Sequence, residues 1–283
     1  MHKRWIAFLT QQIKKNSNVK IYVALCIILV VGASVAFYGL DQLLIKLDSA
    51  SPNQLATARV SHWSGYLVDL NLANRSQGVT SVSGTWTVPS VIASENDTFS
   101  SVWVGIGGYG ETSLIQAGTE QHCVDGQVEY FAWYELLPKT INRIHTITIY
   151  PGDSVTTTIT LLDFEESSWL IKIEDHTRST AFQRTVTYNS TMKSAEWIVE
   201  RPTVNGKIST LADFGTATLT NCTATINGVS GAVSNFTYTP VIMVDGDDND
   251  LVSITPVRND GASFQVTYIK PTDKKPVTTQ TTP

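Results

Sequence analysis

Residues 146–161 read TITIYPGDSVTTTITL, and this stretch decides the fold class. On both sides of the Pro-Gly-Asp triplet at 151–153, β-branched and apolar residues alternate with their neighbours. A period of two places successive side chains on opposite faces of a strand, and Pro-Gly-Asp is typical of a turn. The sequence therefore predicts a strand over 146–150, a turn, and a second strand over 155–161.

The same alternation continues along the chain. Trp169, Ile171 and Ile173 alternate with polar residues, and Trp197 and Val199 do so again. Threonine is abundant, which favours a pleated and half-exposed surface. No stretch after residue 45 has a long helical period of 3.6. We predict an all-β domain, an antiparallel β-sandwich of the jelly-roll, concanavalin-like type.

The N-terminal region has a different character. Ile21–Leu40 holds twenty residues without a charge, enough for a helix of roughly 30 Å, the thickness of the hydrocarbon layer. All the basic residues of the first forty lie in the segment 1–20, which predicts a cytoplasmic N-terminus and a transmembrane anchor. A cleaved signal peptide, with Ser34-Val35-Ala36 at the cleavage site, is the alternative. Either reading places the domain outside the cell, anchored to the membrane or secreted.

The rest of the chain divides by composition. We expect a juxtamembrane linker over 41–60, the β domain over 61–270 and a disordered Thr/Pro-rich tail over 271–283. Five of the 20 Lys and Arg residues lie before residue 41, so 15 remain against 25 acidic residues, a net charge of about −10. Because phosphate binding needs a basic face, nucleic acid is excluded as a partner. We expect a monomer.

Cysteine and histidine offer no obvious chemistry. Cys123 and Cys222 can pair in an oxidising compartment or remain buried thiols, and the sequence leaves both open. The histidines are scattered without metal-ligand spacing, so we expect neither a metal nor a cofactor. His122 precedes Cys123 directly, and adjacent strand residues face opposite ways, which argues against a Cys–His pair.

Polar residues inside apolar strands are the stronger signal. Gln116, Glu135, Glu196 and Glu200 all lie in otherwise apolar runs. In a strand, Glu196 and Glu200 share one face, and Trp197 and Val199 occupy the other. Without further information, two such carboxylates indicate a solvated face of the sheet more often than a site.

The segments around these residues match a family in order and spacing. They are Trp63-Ser64-Gly65-Tyr66, Ser83-Gly84-Thr85-Trp86-Thr87-Val88-Pro89, Trp103-Val104-Gly105-Ile106, Leu114-Ile115-Gln116-Ala117-Gly118, Ala132-Trp133-Tyr134-Glu135, Gly152-Asp153, Ala195-Glu196-Trp197-Ile198-Val199-Glu200 and Ala212-Asp213-Phe214-Gly215. This series resembles the glutamic peptidases (eqolisins), acid endopeptidases, over residues 61–270. The resemblance implies two curved antiparallel sheets with the peptide lying across a concave face.

The resemblance also implies roles for individual residues. Gln116 and Glu200 match the catalytic pair, and Glu196 is the second candidate for the glutamate. The implied substrate contacts are Trp63, Trp103, Trp133, Glu135 and Glu196. A carboxylate can act as general base on water, and a primary amide can hold that water and stabilise the oxyanion, so no metal is required. Activity in acid requires Glu200 to stay ionised there, which hydrogen bonds to its charged form would favour.

The chain departs from the family pattern at two positions near the implied site. Gly107 and Phe131 stand where members commonly have aspartate. Loss of these acids predicts a pH optimum that is moved upward.

Two other functions compete with peptide hydrolysis. Jelly-roll sandwiches bind sugars through aromatic side chains, here Trp63, Trp86, Trp103 and Trp133, so an inactive carbohydrate- or surface-binding module is one alternative. A structural surface-layer protein is the other, favoured by the hydrophobic segment, the Asn-X-Ser/Thr sequons and the Thr-rich tail.

Overall fold

The computed structural model describes residues 53–70 and 78–270, which fold as two β-sheets packed face to face. The anchor or signal segment Ile21–Leu40 and the tail 271–283 fall outside these ranges, so their predictions are untested. Within the described ranges, none of the helices has the length and apolar character needed to cross a membrane. Apart from one 3-10 turn, Val233–Asn235, the regular structure described is all strand, as the alternation predicted.

The front sheet, which carries the candidate site, has eight strands. In spatial order they are β1 (Ala58–Val60), β16 (Thr239–Met243), β2 (Trp63–Asp69), β11 (Ser194–Glu200), β4 (Thr98–Gly107), β5 (Leu114–Val124), β6 (Gln127–Leu136) and β7 (Asn142–Ile144). All neighbours are antiparallel except β1 and β16, which are parallel.

The back sheet also has eight strands, and all its neighbours are antiparallel. Their order is β10 (Thr180–Thr187), β9 (Ser168–Asp175), β8 (Ser154–Asp163), β3 (Val79–Thr87), β14 (Thr216–Ile226), β18 (Phe264–Tyr268) and β17 (Val252–Ile254), with β15 (Val229–Ala232) pairing to β14. A separate hairpin, β12 (Thr203–Val204) and β13 (Lys207–Ile208), follows β11.

The main core lies between the two sheets. Trp197 and Val199 of β11 and Val155 and Ile159 of β8 are fully buried there, since alternate residues of each strand point inward. The indole N–H of Trp197 donates to the backbone oxygen of Ser83 on the opposite sheet, at 2.8 Å. Burial of these faces drives the sheets together and leaves the other face of the front sheet available for a site.

Two boundaries predicted from sequence are wrong. Residues 146–150 do not form a strand, although Ile147 and Ile149 are buried, because no neighbouring strand pairs with them. The linker was expected to reach residue 60, but β1 already pairs with β16 in the front sheet. The question left open for the cysteines is answered: Cys123 and Cys222 are both buried free thiols.

Candidate active site

Strand register arranges the candidate residues in three rows across the outer face of the front sheet. One row runs Glu200–Ser101–Glu120–Phe131, the next Ile198–Trp103–Gly118–Trp133, and the third Glu196–Gly105–Gln116–Glu135. The strands supplying them are β11, β4, β5 and β6, whose neighbouring backbones lie roughly 4.8 Å apart. Residues far apart in sequence thus share one surface.

Trp103 forms the floor of this surface, and two glycines make room for its indole ring. A Cβ atom at Gly118 would lie 2.6 Å from the Trp103 Cβ, and one at Gly105 would lie 2.8 Å from the ring edge. A side chain at Gly105 would therefore displace the indole, and one at Gly118 would collide with the Val102 backbone oxygen and force the two strands apart. The ring packs with Leu114, Trp133 and Ile198 in a small apolar cluster separate from the main core.

Glu200 lies at the end of β11, half-buried, on the wall of a cleft of about 470 Å³. Its Oε2 accepts a hydrogen bond of 2.7 Å from Nε1 of Trp103. Burial raises the pKa of Glu200 to about 8, and the carboxyl groups of Glu120 and Glu135 act in the same direction. The N–H groups of Trp103 and Trp63 favour the charged form, but they do not overcome the burial.

This direction contradicts the expectation that Glu200 remains ionised in acid. The hydrogen bond that was expected is present, yet desolvation of the carboxylate outweighs it. Below neutral pH, Glu200 is therefore a neutral carboxylic acid with one oxygen held by Trp103.

Gln116 lines the same cleft from β5. It lies two strands and two rows away from Glu200, with Trp103 between them on β4. Its Nε2 donates to Oε2 of Glu135 at 2.7 Å, which fixes the orientation of the amide. Its Oε1 is buried without a hydrogen-bond partner. Burial raises the pKa of Glu135, and the bond from Gln116 opposes this shift. The structure thus brings the two predicted catalytic side chains to one cleft.

The predicted substrate contacts separate into two groups. Trp63, Trp133 and Glu135 line the cleft, and the indole nitrogen of Trp133 is buried without a hydrogen-bond partner. Trp103 and Glu196, in contrast, have no exposed surface and are absent from the cleft wall. The prediction that these two contact substrate directly is corrected: the first is the floor, and the second lies beneath the surface.

Glu196 is fully buried beneath the outer face of the front sheet. Burial raises its pKa to about 8, aided by the nearby charge of Asp69 and opposed by the Ser194 side chain and the Tyr109 backbone amide. Without access to the cleft, Glu196 is not placed to act on water there, so its candidacy as the catalytic glutamate is not supported.

The structure adds residues that the sequence reasoning missed. Glu120 and His122 line the cleft from β5, on the same face as Gln116. The period of two continues from Gln116 through Gly118 to both of them, so the pattern could have identified them. Pro202 and Val204 of the β12 region also line the cleft, as do Leu137 and Ile141, which lie between β6 and β7.

Comparison with known proteins identifies the family of this chain. The model of the Peptidase A4 family matches residues 61–268. Aspergillopepsin-2 of Aspergillus niger is 30% identical over 255 residues, covering 82% of this chain and 84% of the relative.

Solved structures of glutamic peptidases have a similar fold. Scytalido-glutamic peptidase, crystallised with a transition state analog inhibitor, superposes with a TM-score of 0.63 at 22% identity, covering 74% of this chain and 98% of the other. Aspergilloglutamic peptidase from Aspergillus niger superposes with a TM-score of 0.54 at 32% identity, covering 61% and 99%. The fold of this chain is therefore the fold of these proteins.

Proposed function

The chain belongs to the Peptidase A4 family of glutamic endopeptidases, and from that premise we propose that it hydrolyses peptide bonds in acid with Glu200 and Gln116 as its catalytic pair. The observation that carries the proposal is the convergence of these two side chains on one cleft with Trp103 as its floor. The substrate is a peptide or an unfolded protein, since the cleft is open and lined by aromatic and aliphatic side chains.

Glu200 enters the reaction as the neutral acid, in keeping with its raised pKa. Its proton passes to the oxygen of the scissile carbonyl while water attacks the carbon. The carboxylate that remains takes a proton from the attacking water and later delivers it to the leaving amine, so that it serves in turn as acid and base. The Trp103 N–H steadies the carboxylate during the interval when it carries charge.

Gln116 positions the other partners. One hydrogen of its Nε2 is engaged by Glu135, and the second is free to donate to the oxygen of the scissile carbonyl as that oxygen takes up the proton from Glu200. Its Oε1, which lacks a partner, can accept from the attacking water. No step requires a metal, and among residues 53–70 and 78–270 no group of three His, Cys, Asp or Glu side chains is arranged so that it could hold a metal ion.

The binding-module alternative is not favoured. A sugar-binding face needs the aromatic side chains but has no use for a glutamine–glutamate pair in the same cleft. Of the four tryptophans in that alternative, Trp103 has no exposed surface and Trp86 is buried, donating to Oγ1 of Thr119 across the sandwich.

The test is hydrolysis of denatured casein from pH 2 to 9, with pepstatin present to silence aspartic peptidases. We expect Glu200→Gln and Gln116→Ala each to lower kcat by roughly two to three orders of magnitude while the fold is retained. Glu165→Gln, an exposed site between β8 and β9, is the matched control. Near-normal kcat in either active-site variant would remove that residue from the mechanism.

The pH dependence of hydrolysis tests the protonation state of Glu200 separately from the substitutions. If neutral Glu200 is the working form, hydrolysis is lost as the pH rises through about 8. A profile that instead rises through this pH would mean that the carboxylate acts first, as base alone.

A further inference from the structure

A chain of charged groups begins at the cleft wall with Glu120 and His122, continues outside the cleft, and has no part in the reaction described above. Nδ1 of His122 lies 3.7 Å from Oε1 of Glu120, and its Nε2 lies 3.2 Å from Oε2 of Glu129. Arg143 of β7 forms an ion pair with Glu129, and its guanidinium lies 4.2 Å from the centre of the Phe131 ring. His122 thus stands between two carboxylates, one of which is anchored from outside the cleft.

The histidine ring is held in place by aromatic neighbours. Phe99 of β4 and Phe131 of β6 pack edge-on against it, with ring centroids 5.3 and 5.6 Å away. Only 16% of the His122 side chain and 6% of the Glu120 side chain are exposed. Solvent therefore screens the contact between them weakly.

Glu120 connects this chain of charges to the catalytic glutamate. It belongs to the row Glu200–Ser101–Glu120, so only the small side chain of Ser101 separates it from Glu200. Both carboxyl groups line the cleft. A negative charge on Glu120 therefore opposes a negative charge on Glu200.

We propose that His122 is a positioning residue for peptide hydrolysis: from about neutral pH upward it holds Glu120 as a carboxylate beside Glu200, and this extends the pH range over which Glu200 keeps the proton that the reaction uses. The inference rests on the proposed function of Glu200. It follows from the contacts above, because a protonated His122 favours charge on Glu120 and charge on Glu120 disfavours charge on Glu200. Burial raises the pKa of Glu120 to about 7 although His122 opposes that shift, and Glu120 in turn raises the pKa of His122. The charge on Glu120 therefore acts at the alkaline limb of the activity profile, where Glu200 also loses its proton.

The other groups that face these residues complete the electrostatic setting. Glu200 is faced by Glu135 of β6 and by the N–H groups of Trp63 and Trp103, and His62 also lines the cleft. His122 is faced by Glu120 on its own strand, Glu129 of β6 and, through Glu129, Arg143 of β7. His122 supplies the cation that contacts Glu120.

The experiment compares pH profiles of kcat/KM for the full-length protein on one peptide substrate, each scaled to its own maximum. In His122→Gln, Glu120 loses its cation and takes up a proton more readily, so Glu200 ionises at lower pH. We expect the alkaline half-activity point to fall by roughly 0.5 to 1 pH unit. Glu120→Gln should move it in the same direction. His176→Gln, an exposed histidine bonded to Thr156 on the back sheet, should leave it in place.

The double variant separates this mechanism from general damage to the cleft. Because His122 acts through Glu120, the shift in His122→Gln/Glu120→Gln should be no larger than in Glu120→Gln alone. An unmoved profile in His122→Gln, or shifts that add in the double variant, would overturn the proposal.

A readout independent of activity comes from NMR titration of the His122 ring. Its pKa should fall in Glu120→Gln, and a pKa unchanged by that substitution would also overturn the proposal. Failure of the proposed function looks different, since Glu200→Gln would then still hydrolyse peptide.

Discussion

Replacement of Glu196 by glutamine should flatten the dependence of stability on pH. Glu196 has no exposed surface, and burial raises its pKa from an ordinary 4.5 to about 8 although the Ser194 side chain and the Tyr109 backbone amide oppose the shift. Between these two values the unfolded chain has lost the proton while the native protein still holds it. The native state then binds more protons, so the free energy of unfolding falls as the pH rises through this window.

The size follows from the shift. Each pKa unit corresponds to about 1.4 kcal/mol, so Glu196 alone should remove roughly 5 kcal/mol of stability between pH 4 and pH 9. That is a large share of the 5–15 kcal/mol typical of a folded domain. Glutamine has nearly the same shape as glutamate and does not titrate. Between pH 4 and pH 9, the free energy of unfolding of Glu196→Gln should therefore fall by roughly 5 kcal/mol less than that of the parent protein.

The assay is urea unfolding at pH 4, 6.5 and 9, with Glu200→Gln present in every protein to prevent self-digestion. Glu165→Gln, an exposed glutamate, serves as the matched control and should follow the parent. The buried carboxyl of Glu120 contributes its own pH dependence equally to all of them, so the difference reports Glu196. If Glu196→Gln loses as much stability as the parent by pH 9, the burial argument for this carboxyl is refuted.

Three further predictions concern the site and the N-terminal segment. Trp103→Phe removes the N–H that favours the charged form of Glu200, so the alkaline limb of the pH–activity profile should move to higher pH. This shift is opposite in sign to the one expected for His122→Gln, and a shift to lower pH would contradict it. Chelators and serine- or cysteine-directed reagents should leave casein hydrolysis unchanged. If EDTA abolished the activity and added zinc restored it, a metal-dependent mechanism would be required. If Ile21–Leu40 is an anchor, the mature protein sediments with membranes and keeps its N-terminal residues, whereas N-terminal sequencing that begins near Phe37 would indicate a cleaved signal.

The sequence alone determined the fold class and most of the candidate site. Alternation identified the strands around residues 155–161, 169–173 and 195–200, because a period of two is imposed by the backbone of each strand separately. The motif order then selected Gln116 and Glu200, and both line the cleft. The same local pattern failed over 146–150, where alternation reflects burial of Ile147 and Ile149 without a pairing partner.

Tertiary structure decided what depends on register and burial. Glu120 neighbours Glu200, and Trp103 lies under the cleft, only because β11, β4 and β5 align in one particular register, although these strands are separated by many residues of chain. The tertiary structure also decided the protonation state of Glu200. A sequence supplies a carboxyl group and its hydrogen-bonding neighbours, but the desolvation that raises its pKa depends on how completely the folded sheets exclude water from it.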